Sequence, residues 1–313
     1  MSFVIYRSIH LVVTTLALQD TISSDLRSRA RSALLLERLG SSNQECEVDD
    51  TAGPCPPSKF RSPTSECNNV NHRHWGSRGD VFMRMVAPDY ADGKSSPRTS
   101  VGSHALPSPD HIIQQLQKSI NKDAQHPHIT AMLPAWGQLL AYDLFQVISP
   151  QSSSYKCCEE KTKSSEDLIQ CYVRTGDDCK EYMRSIPSRD FQTCEFNYRE
   201  QMNAASGFID GSGLYGVTEK EFQALRTFSG GQVDIKACAR CNEAGAIGAL
   251  HVILLKEHNR IAEELAKLNN DWSDATLFLE ARRALTAEIQ HITFNEFLPI
   301  VLGQQTVTKD ELR

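Results

Sequence analysis

The chain has 313 residues, of which 40% are hydrophobic and 23% charged, and its formal net charge at pH 7 is −6. This composition is typical of a globular protein, and the length allows one large or two small domains. The negative charge argues against nucleic acid as a partner. No apolar stretch reaches the roughly 18–20 residues of a membrane-spanning helix, so we expect no membrane span.

Residues 1–45 are predicted to be a signal-like segment followed by a pro-segment. Arg7 precedes a short apolar run, Leu11–Leu18, as in a secretory signal peptide. His10 stands between them and no small-residue cleavage motif follows, so an ordinary N-terminal helix is the alternative. Residues 46–313 form the predicted main domain.

Cysteine usage indicates a secreted protein. The ten cysteines occupy positions 46, 55, 67, 157, 158, 171, 179, 194, 238 and 241. Clusters of cysteine separated by long cysteine-free stretches, without paired zinc-binding motifs, favour disulfides and an oxidising compartment. The single motif Cys238-Ala-Arg-Cys241 is also compatible with redox chemistry or with metal binding.

The tripeptide Arg78-Gly-Asp80 lies in a loop-rich region and matches an integrin-binding motif. Three-residue matches arise frequently by chance. The tripeptide nevertheless raises one alternative function, a non-catalytic adhesion module whose partner is a cell-surface receptor.

Two helices are predicted in the middle of the chain, Asp110–Asn121 and Trp136–Leu144. The first has its acidic residue at the positive N-terminal end. Pro134 lies just ahead of the second helix, where it either kinks a longer helix or occupies the first helical turn.

Polar residues interrupt the apolar character of the second helix. Gln138, Ala141 and Tyr142 share one face through their three- and four-residue spacings. They would line one wall of a cavity, or the Gln and Tyr would find local hydrogen-bond partners within an ordinary core helix.

An alternating pattern of oxygen-bearing groups follows at residues 206–212. The side chains of Ser206, Asp210 and Ser212 and the carbonyl of Phe208 can converge on one point, as a hard cation such as Ca²⁺ requires. The alternative is a Gly/Ser turn capped by Asp210.

The last third of the chain is predicted to be helical. Ala246–Leu268 shows helical periodicity, with apolar residues on one face at 247, 250, 253, 254, 261 and 265. A second long helix is predicted over Ala275–Phe294 and is expected to end within residues 295–299. His251 and His258 are expected to be structural.

The segments 136–144, 240–243, 251–260 and 272–303, taken in order, resemble the N-terminal half of the animal haem peroxidase family. The resemblance runs from about Cys46 to the last residues. It implies a mainly α-helical, haem-peroxidase-like domain, truncated before the half that carries the proximal histidine. It also implies hydrogen-peroxide-dependent oxidation through haem b, with a small reductant or halide as the second substrate.

The resemblance assigns roles to four residues of the haem pocket. Gln138 is expected to line the pocket, and Tyr142 stands where the family has its distal histidine. Arg240 is the expected peroxide-polarising cation, because a permanent positive charge stabilises the leaving hydroxide. Glu243 would attach the haem through an ester, although an Arg–Glu pair at this spacing is more often a surface ion pair.

Two positions of the family pattern are altered in this chain. Ala141 replaces a second ester-forming carboxylate, and Tyr142 offers a phenol, which is protonated near neutral pH and is therefore a poor base. The chain is expected to be a catalytically impaired or inactive peroxidase, or a fragment that does not fold without a C-terminal half.

The resemblance further implies a bound calcium ion and one disulfide. It adds Asp143 to the calcium ligands predicted at residues 206–212, and it pairs Cys55 with Cys67.

Overall fold

The computed structural model describes residues 55–82, 84–98, 100–102, 104–119, 128–147, 184–185, 187–188, 198–243 and 245–303. The described part is mainly α-helical, as predicted. Its α-helices are α1 Pro109–Ser119, α2 Met132–Leu144, α3 Ser212–Tyr215, α4 Glu219–Leu225, α5 Ala246–Leu268, α6 Asp274–Ile292 and α7 Leu298–Leu302. No helix within these ranges is long and apolar enough to cross a membrane. The predicted N-terminal segment 1–45 and the cysteines at 46 and 157–194 lie outside them.

Short strands add little to the architecture. β1 Ser100–Val101 pairs antiparallel with β2 His104–Ala105, and β3 Pro187–Ser188 pairs antiparallel with β4 Glu200–Gln201. The β1–β2 pair is exposed to solvent, so it contributes no side chains to the core.

The core lies between α5 and α6. Helix α5 has the predicted bounds and buries Leu250, Leu254, Leu255 and Ile261. The prediction that Ile253 lies on this face is wrong, because its side chain is 58% exposed. At about 100° per residue, Ile253 points roughly 130° away from the centre of the buried face.

A buried aromatic group connects α3 and α4 to this core. The ring of Phe278 on α6 packs edge-on against Phe222 at a centroid distance of 5.1 Å and against Tyr215 at 6.0 Å. Edge-to-face contacts of this kind add to the stabilisation from burial alone. The short helices α3 and α4 are therefore fixed against α6.

His258 is a structural histidine, as predicted. Its Nε2 lies 2.9 Å from the carbonyl of Gly231, and its Nδ1 lies 2.8 Å from the hydroxyl of Tyr215. A carbonyl can only accept, so Nε2 carries the proton and Nδ1 accepts from Tyr215. Both ring nitrogens are satisfied within the core.

Helix α2 begins four residues before the predicted start. Pro134 lies in its first turn, where a missing N–H removes no helical hydrogen bond, so the proline does not interrupt the helix. Trp136 links α2 to the segment that follows α6, because its indole N–H donates to the Thr293 hydroxyl at 3.2 Å.

The chain stays helical beyond the residues at which the sequence predicts a helix end. Helix α6 ends at Ile292, and a π-helical turn, Thr293–Phe297, leads directly into α7. Pro299 lies in the first turn of α7, where proline is compatible with a helix. The predicted helix end at residues 295–299 is therefore wrong.

The loop-rich region at residues 55–82 is tied together by a disulfide. Cys55 bonds to Cys67 across a separation of 12 residues, which confirms the predicted pairing. The backbone N–H of Cys67 also donates to the carbonyl of Arg73 at 2.8 Å.

Candidate functional site

Tyr142, Arg240 and Glu243 meet in space although about 100 residues separate the first from the other two. The Tyr142 hydroxyl donates to a Glu243 carboxylate oxygen at 3.0 Å. The Arg240 guanidinium carbon lies 3.9 Å from the centroid of the Tyr142 ring, and an Arg240 nitrogen lies 3.6 Å from Glu243. We call these three residues the Tyr142 cluster.

The cation over the ring and the carboxylate at the hydroxyl hold Tyr142 from two sides. An arginine over an aromatic face is attracted by the ring quadrupole, and a phenol donates a strong hydrogen bond to a carboxylate. Arg240 and Glu243 keep about a quarter and a third of their side chains exposed, 27% and 34%. Solvent or a ligand can therefore reach Arg240 and Glu243 from outside the described core.

A disulfide fixes the segment that presents Arg240. Cys238 and Cys241 are bonded to each other, and the bond links the N-cap of a 3-10 helix, Ala239–Asn242, to its third residue. The Cys238 sulfur also accepts the backbone N–H of Cys241 at 3.1 Å. The sequence alone is compatible with a disulfide, a redox role or a metal-binding role for this motif. In the structure the two cysteines form a disulfide.

Gly248 lets the first turn of α5 approach Glu243. A Cβ atom at this position would lie 2.2 Å from the Glu243 carbonyl oxygen and 3.1 Å from that of Cys241. Such contacts are far inside van der Waals distance, so only glycine allows this arrangement. Gly248 was not predicted from the sequence to have a structural role. A glycine in the first turn of a predicted helix is the signal that could have indicated one.

Gln138 lies one turn before Tyr142 on α2 and is exposed. It therefore shares the helix face with Tyr142, as the spacing predicts, but it makes no hydrogen bond with the residues that the structure describes. Ala141, half-buried beside Tyr142, carries no polar group.

His251 lies behind the Tyr142 cluster on α5. Its ring centroid is 6.3 Å from that of Tyr142, and its Nδ1 donates to the carbonyl of Ile247 at 2.8 Å. Burial lowers the pKa of His251, which favours the neutral imidazole.

The predicted calcium ligands Asp143, Asp210 and Ser212 come together on the other side of α2. One Asp143 carboxylate oxygen accepts the backbone N–H groups of Asp210 at 3.1 Å and Gly211 at 3.2 Å. The Ser212 hydroxyl donates to the Asp143 carbonyl at 3.0 Å. A side-chain hydrogen bond from Ser65 also reaches the Asp210 carboxylate.

The other two predicted ligands form the start of the same loop. The Ser206 hydroxyl lies 3.1 Å from the Phe208 carbonyl, and Ser206 is buried. Gly213 brings the end of the loop against α2, because a Cβ there would lie 3.2 Å from the Asp143 nitrogen. All five predicted ligands therefore belong to one loop and the helix residue it packs against.

Two buried carboxylates lie in this region, and the Arg282 guanidinium attracts both of them. Asp143 and Asp210 are 4% and 1% exposed, and buried carboxylates need a counter-charge or a proton. Burial and, secondarily, the neighbouring Asp210 raise the pKa of Asp143 to about 7. No group of three or more His, Cys, Asp or Glu side chains gathers anywhere in the described ranges, so hydroxyl and carbonyl oxygens would have to complete a metal site.

The Arg-Gly-Asp tripeptide at 78–80 is built into the fold. Gly79 is buried, and its N–H donates to the carbonyl of Asn203 at 2.6 Å. The Asp80 carboxylate accepts the N–H groups of Gly76 and Val81, each at 2.8 Å. Burial raises the pKa of Asp80 to about 6. A receptor would find this carboxylate already engaged, so the structure does not favour the adhesion alternative.

The chain is similar to known proteins over most of its length. The family model described as animal haem peroxidase matches residues 60–240 and 237–313. Chorion peroxidase of Drosophila melanogaster is 31% identical over 310 residues, covering 82% of this chain and 37% of that protein. Peroxidasin of Drosophila melanogaster is 29% identical over 343 residues, covering 90% of this chain and 22% of that protein.

A solved structure shows the same fold. Peroxidase A from Dictyostelium discoideum superposes with a TM-score of 0.59 at 23% identity, covering 78% of this chain and 53% of that one. This chain spans 37% of the length of the chorion peroxidase and 22% of the length of the peroxidasin named above. The match of the family model across most of the chain shows that the protein belongs to the animal haem peroxidase family.

Proposed function

We propose that this chain supplies the distal side of a haem-binding site in a peroxidase whose turnover is impaired at Tyr142. The observation that carries the proposal is the Tyr142 cluster, in which the phenol donates to Glu243 and Arg240 covers the ring. Membership of the family implies haem as the cofactor.

The residues of this chain fit a haem in part. Arg240 and Glu243 retain the family's residue types, are partly exposed, and lie together, and Gln138 is exposed on the same face of α2 as Tyr142. Ala141 has no carboxyl group for an ester. A bound haem would supply the iron that reacts with hydrogen peroxide; a small reductant or halide would be the second substrate.

The chemistry of the cluster explains the proposed impairment. Peroxide activation needs a base that takes a proton, and removing such a base typically slows an enzyme about 10²–10⁴-fold. Tyr142 is placed as a donor, because its hydroxyl proton is directed to the Glu243 carboxylate. Arg240 would still provide the positive charge that stabilises a leaving hydroxide.

Glu243 is constrained by the same contact. Its carboxylate accepts from Tyr142 and lies 3.6 Å from Arg240. Because the Tyr142 hydroxyl occupies this carboxylate, attachment of haem through Glu243 would require its release from Tyr142.

Haem titration followed by the Soret absorbance tests the binding part of this proposal. We expect a saturable Soret shift in the wild type and weaker binding in Arg240→Gln. Arg260→Gln is the matched control, because Arg260 is exposed on α5 and paired with Glu257. A wild type without saturable binding would contradict the proposal.

We also propose that the loop at residues 206–212 and Asp143 hold a calcium ion. Two buried carboxylates, together with hydroxyl and carbonyl oxygens of Ser206, Phe208 and Ser212, are the donors that Ca²⁺ prefers. Because binding restricted to the folded state stabilises it, calcium would fix α2 against α3 and thereby position Tyr142.

Secretion is the third part of the proposal. The disulfides Cys55–Cys67 and Cys238–Cys241 support an oxidising compartment, because such bonds are rarely maintained in the cytosol. Non-reducing peptide mapping of the protein recovered from culture medium would test this point; thiols in place of both bonds would contradict it.

A further inference from the structure

A cavity of about 230 Å³ lies between the loop at residues 59–61 and the outer face of α6. No residue of the Tyr142 cluster lines it. Its wall carries four basic side chains, those of Lys59, Arg61, Arg282 and Arg283, and one carboxylate, that of Asp210. The described part of the wall is therefore strongly positive.

Arg282 is the central feature of this cavity. The residue is only 4% exposed, and its Nη1 donates to the carbonyl of Arg61 at 2.9 Å. Its Nη2 is buried without a hydrogen-bond partner among the described residues, and no described carboxylate lies within ion-pair distance. Burial lowers the pKa of Arg282. A buried cation is normally paired with an anion; here the Asp210 and Asp143 carboxylates attract Arg282 without forming an ion pair with it.

The acidic groups nearby compensate the four basic side chains only in part. Glu280 pairs with Lys59 and lies 3.5 Å from Arg283, so it neutralises those two cations in part. The Asp210 carboxylate accepts from Ser65 and from the backbone N–H of Ser212. The described wall therefore has one carboxylate against four basic side chains and keeps a net positive charge.

Arg61 brings a second guanidinium to the same wall. Its side chain is exposed and lies 5.5 Å from the ring centroid of Phe208. The positive charges of Arg61 and Arg282 repel each other. An anion between them would remove this repulsion, and a guanidinium can bind a carboxylate through two parallel hydrogen bonds.

The rest of the wall combines apolar residues with the polar residues Thr286 and Gln290. Phe60, Leu279 and Ala287 line it beside the basic groups. The volume is below the roughly 300–1,000 Å³ of pockets for drug-sized ligands, which favours a ligand smaller than a nucleotide or a long chain. The cavity nevertheless offers apolar contacts that an inorganic ion would not use.

We propose that this cavity is a binding site for a small organic carboxylate. Its charged group binds Arg282 and Arg61, and its short hydrocarbon or aromatic skeleton packs against Phe60 and Leu279. The site is independent of haem and of the proposed peroxidase chemistry.

Calorimetric titration with benzoate, compared with benzamide, tests the proposal directly. The two probes have nearly the same shape, and only benzoate carries a negative charge. We expect saturable binding of benzoate, at least about tenfold weaker binding of benzamide, since hydrogen bonds between charged groups are the stronger ones, and a higher melting temperature with benzoate alone. Equal affinities, or no benzoate binding, would overturn the proposal.

Variants locate the site. Arg61→Gln keeps the backbone carbonyl that Arg282 uses and should weaken benzoate binding about tenfold or more. Arg260→Gln, which removes an exposed arginine on α5, should bind benzoate like the wild type. Ala287→Leu should reduce binding by filling the cavity without changing its charge. Wild-type affinity in both cavity variants would refute the location.

Inorganic phosphate distinguishes a carboxylate site from a general anion site. At matched ionic strength, we expect phosphate to displace benzoate only weakly, because it makes no contact with the apolar wall. Phosphate binding as tight as that of benzoate would contradict the assigned ligand class.

Discussion

The hydroxyl of Tyr142 donates a hydrogen bond of 3.0 Å to the carboxylate of Glu243, and this contact helps to join helix α2 to the segment before α5. Both groups occupy positions that the family resemblance assigns to haem chemistry. In this chain the Tyr142 hydroxyl and the Glu243 carboxylate form a hydrogen bond with each other. The same bond that supports the local structure therefore occupies the carboxylate and directs the phenol proton to Glu243.

Gly248→Ala should disturb this contact by displacing the backbone of Glu243. The added Cβ would lie 2.2 Å from the Glu243 carbonyl oxygen, and overpacking of this kind typically costs about 1–3 kcal/mol. We expect a lower free energy of unfolding in urea titrations. Gly137→Ala is the matched control, because its Cβ would meet Phe297 at an ordinary 3.5 Å; a helical Gly→Ala change there should be neutral or stabilise by up to about 1 kcal/mol. Equal effects of the two substitutions would contradict this account of Gly248.

Calcium should raise the melting temperature of the protein. Binding to the folded state alone stabilises by about 2.7 kcal/mol when the ligand is at 100 times its Kd. Asp210→Ala should abolish the difference between calcium and chelator, whereas Asp271→Ala, at an exposed loop position, should preserve it. The quantity compared is the calcium-dependent shift, because Asp210 also accepts hydrogen bonds in the fold. A wild-type melting temperature that is the same with and without chelator would rule out the site.

Acid should weaken the fold through His258. Burial lowers the pKa of His258 to about 4 from an ordinary value of 6.5, so the unfolded chain binds more protons between these two pH values. Stability therefore falls as the pH decreases from about 6.5 to 4, by an amount on the order of 3 kcal/mol for this group. His258→Gln should be less stable at neutral pH but show a flatter pH dependence over this window.

The matched control for that experiment is His111→Gln, because His111 is exposed on α1. Denaturant titrations at several pH values would give the difference in slope between each variant and the wild type. If His258→Gln retained the wild-type slope, the buried neutral state of His258 would not explain the acid sensitivity.

The sequence predicts well those features that depend on local periodicity or on a motif. The bounds of α5 follow from its apolar spacing, and the Cys55–Cys67 pairing follows from the family resemblance. The resemblance also selects Tyr142, Arg240 and Glu243, which the fold then brings into contact.

Features that depend on contacts between distant segments could not be predicted. The need for glycine at 248 arises only when the carbonyl of Glu243 comes within 2.2 Å of its Cβ position. In the sequence, Arg282 is simply one of two adjacent arginines on an amphipathic helix, whereas in the structure it is buried and donates to the carbonyl of Arg61. The π-helical turn at Thr293–Phe297 likewise carries no signal in the apolar pattern.

The most direct test of the account is peroxide-dependent guaiacol oxidation by the haem-reconstituted protein, compared between the wild type, Tyr142→His and Tyr142→Phe. We predict that Tyr142→His raises turnover by at least about 10²-fold, because an imidazole supplies the missing base. Tyr142→Phe should remain as slow as the wild type, since it releases Glu243 without adding a base. Wild-type turnover equal to that of Tyr142→His would contradict the assignment of Tyr142 as the cause of impaired catalysis.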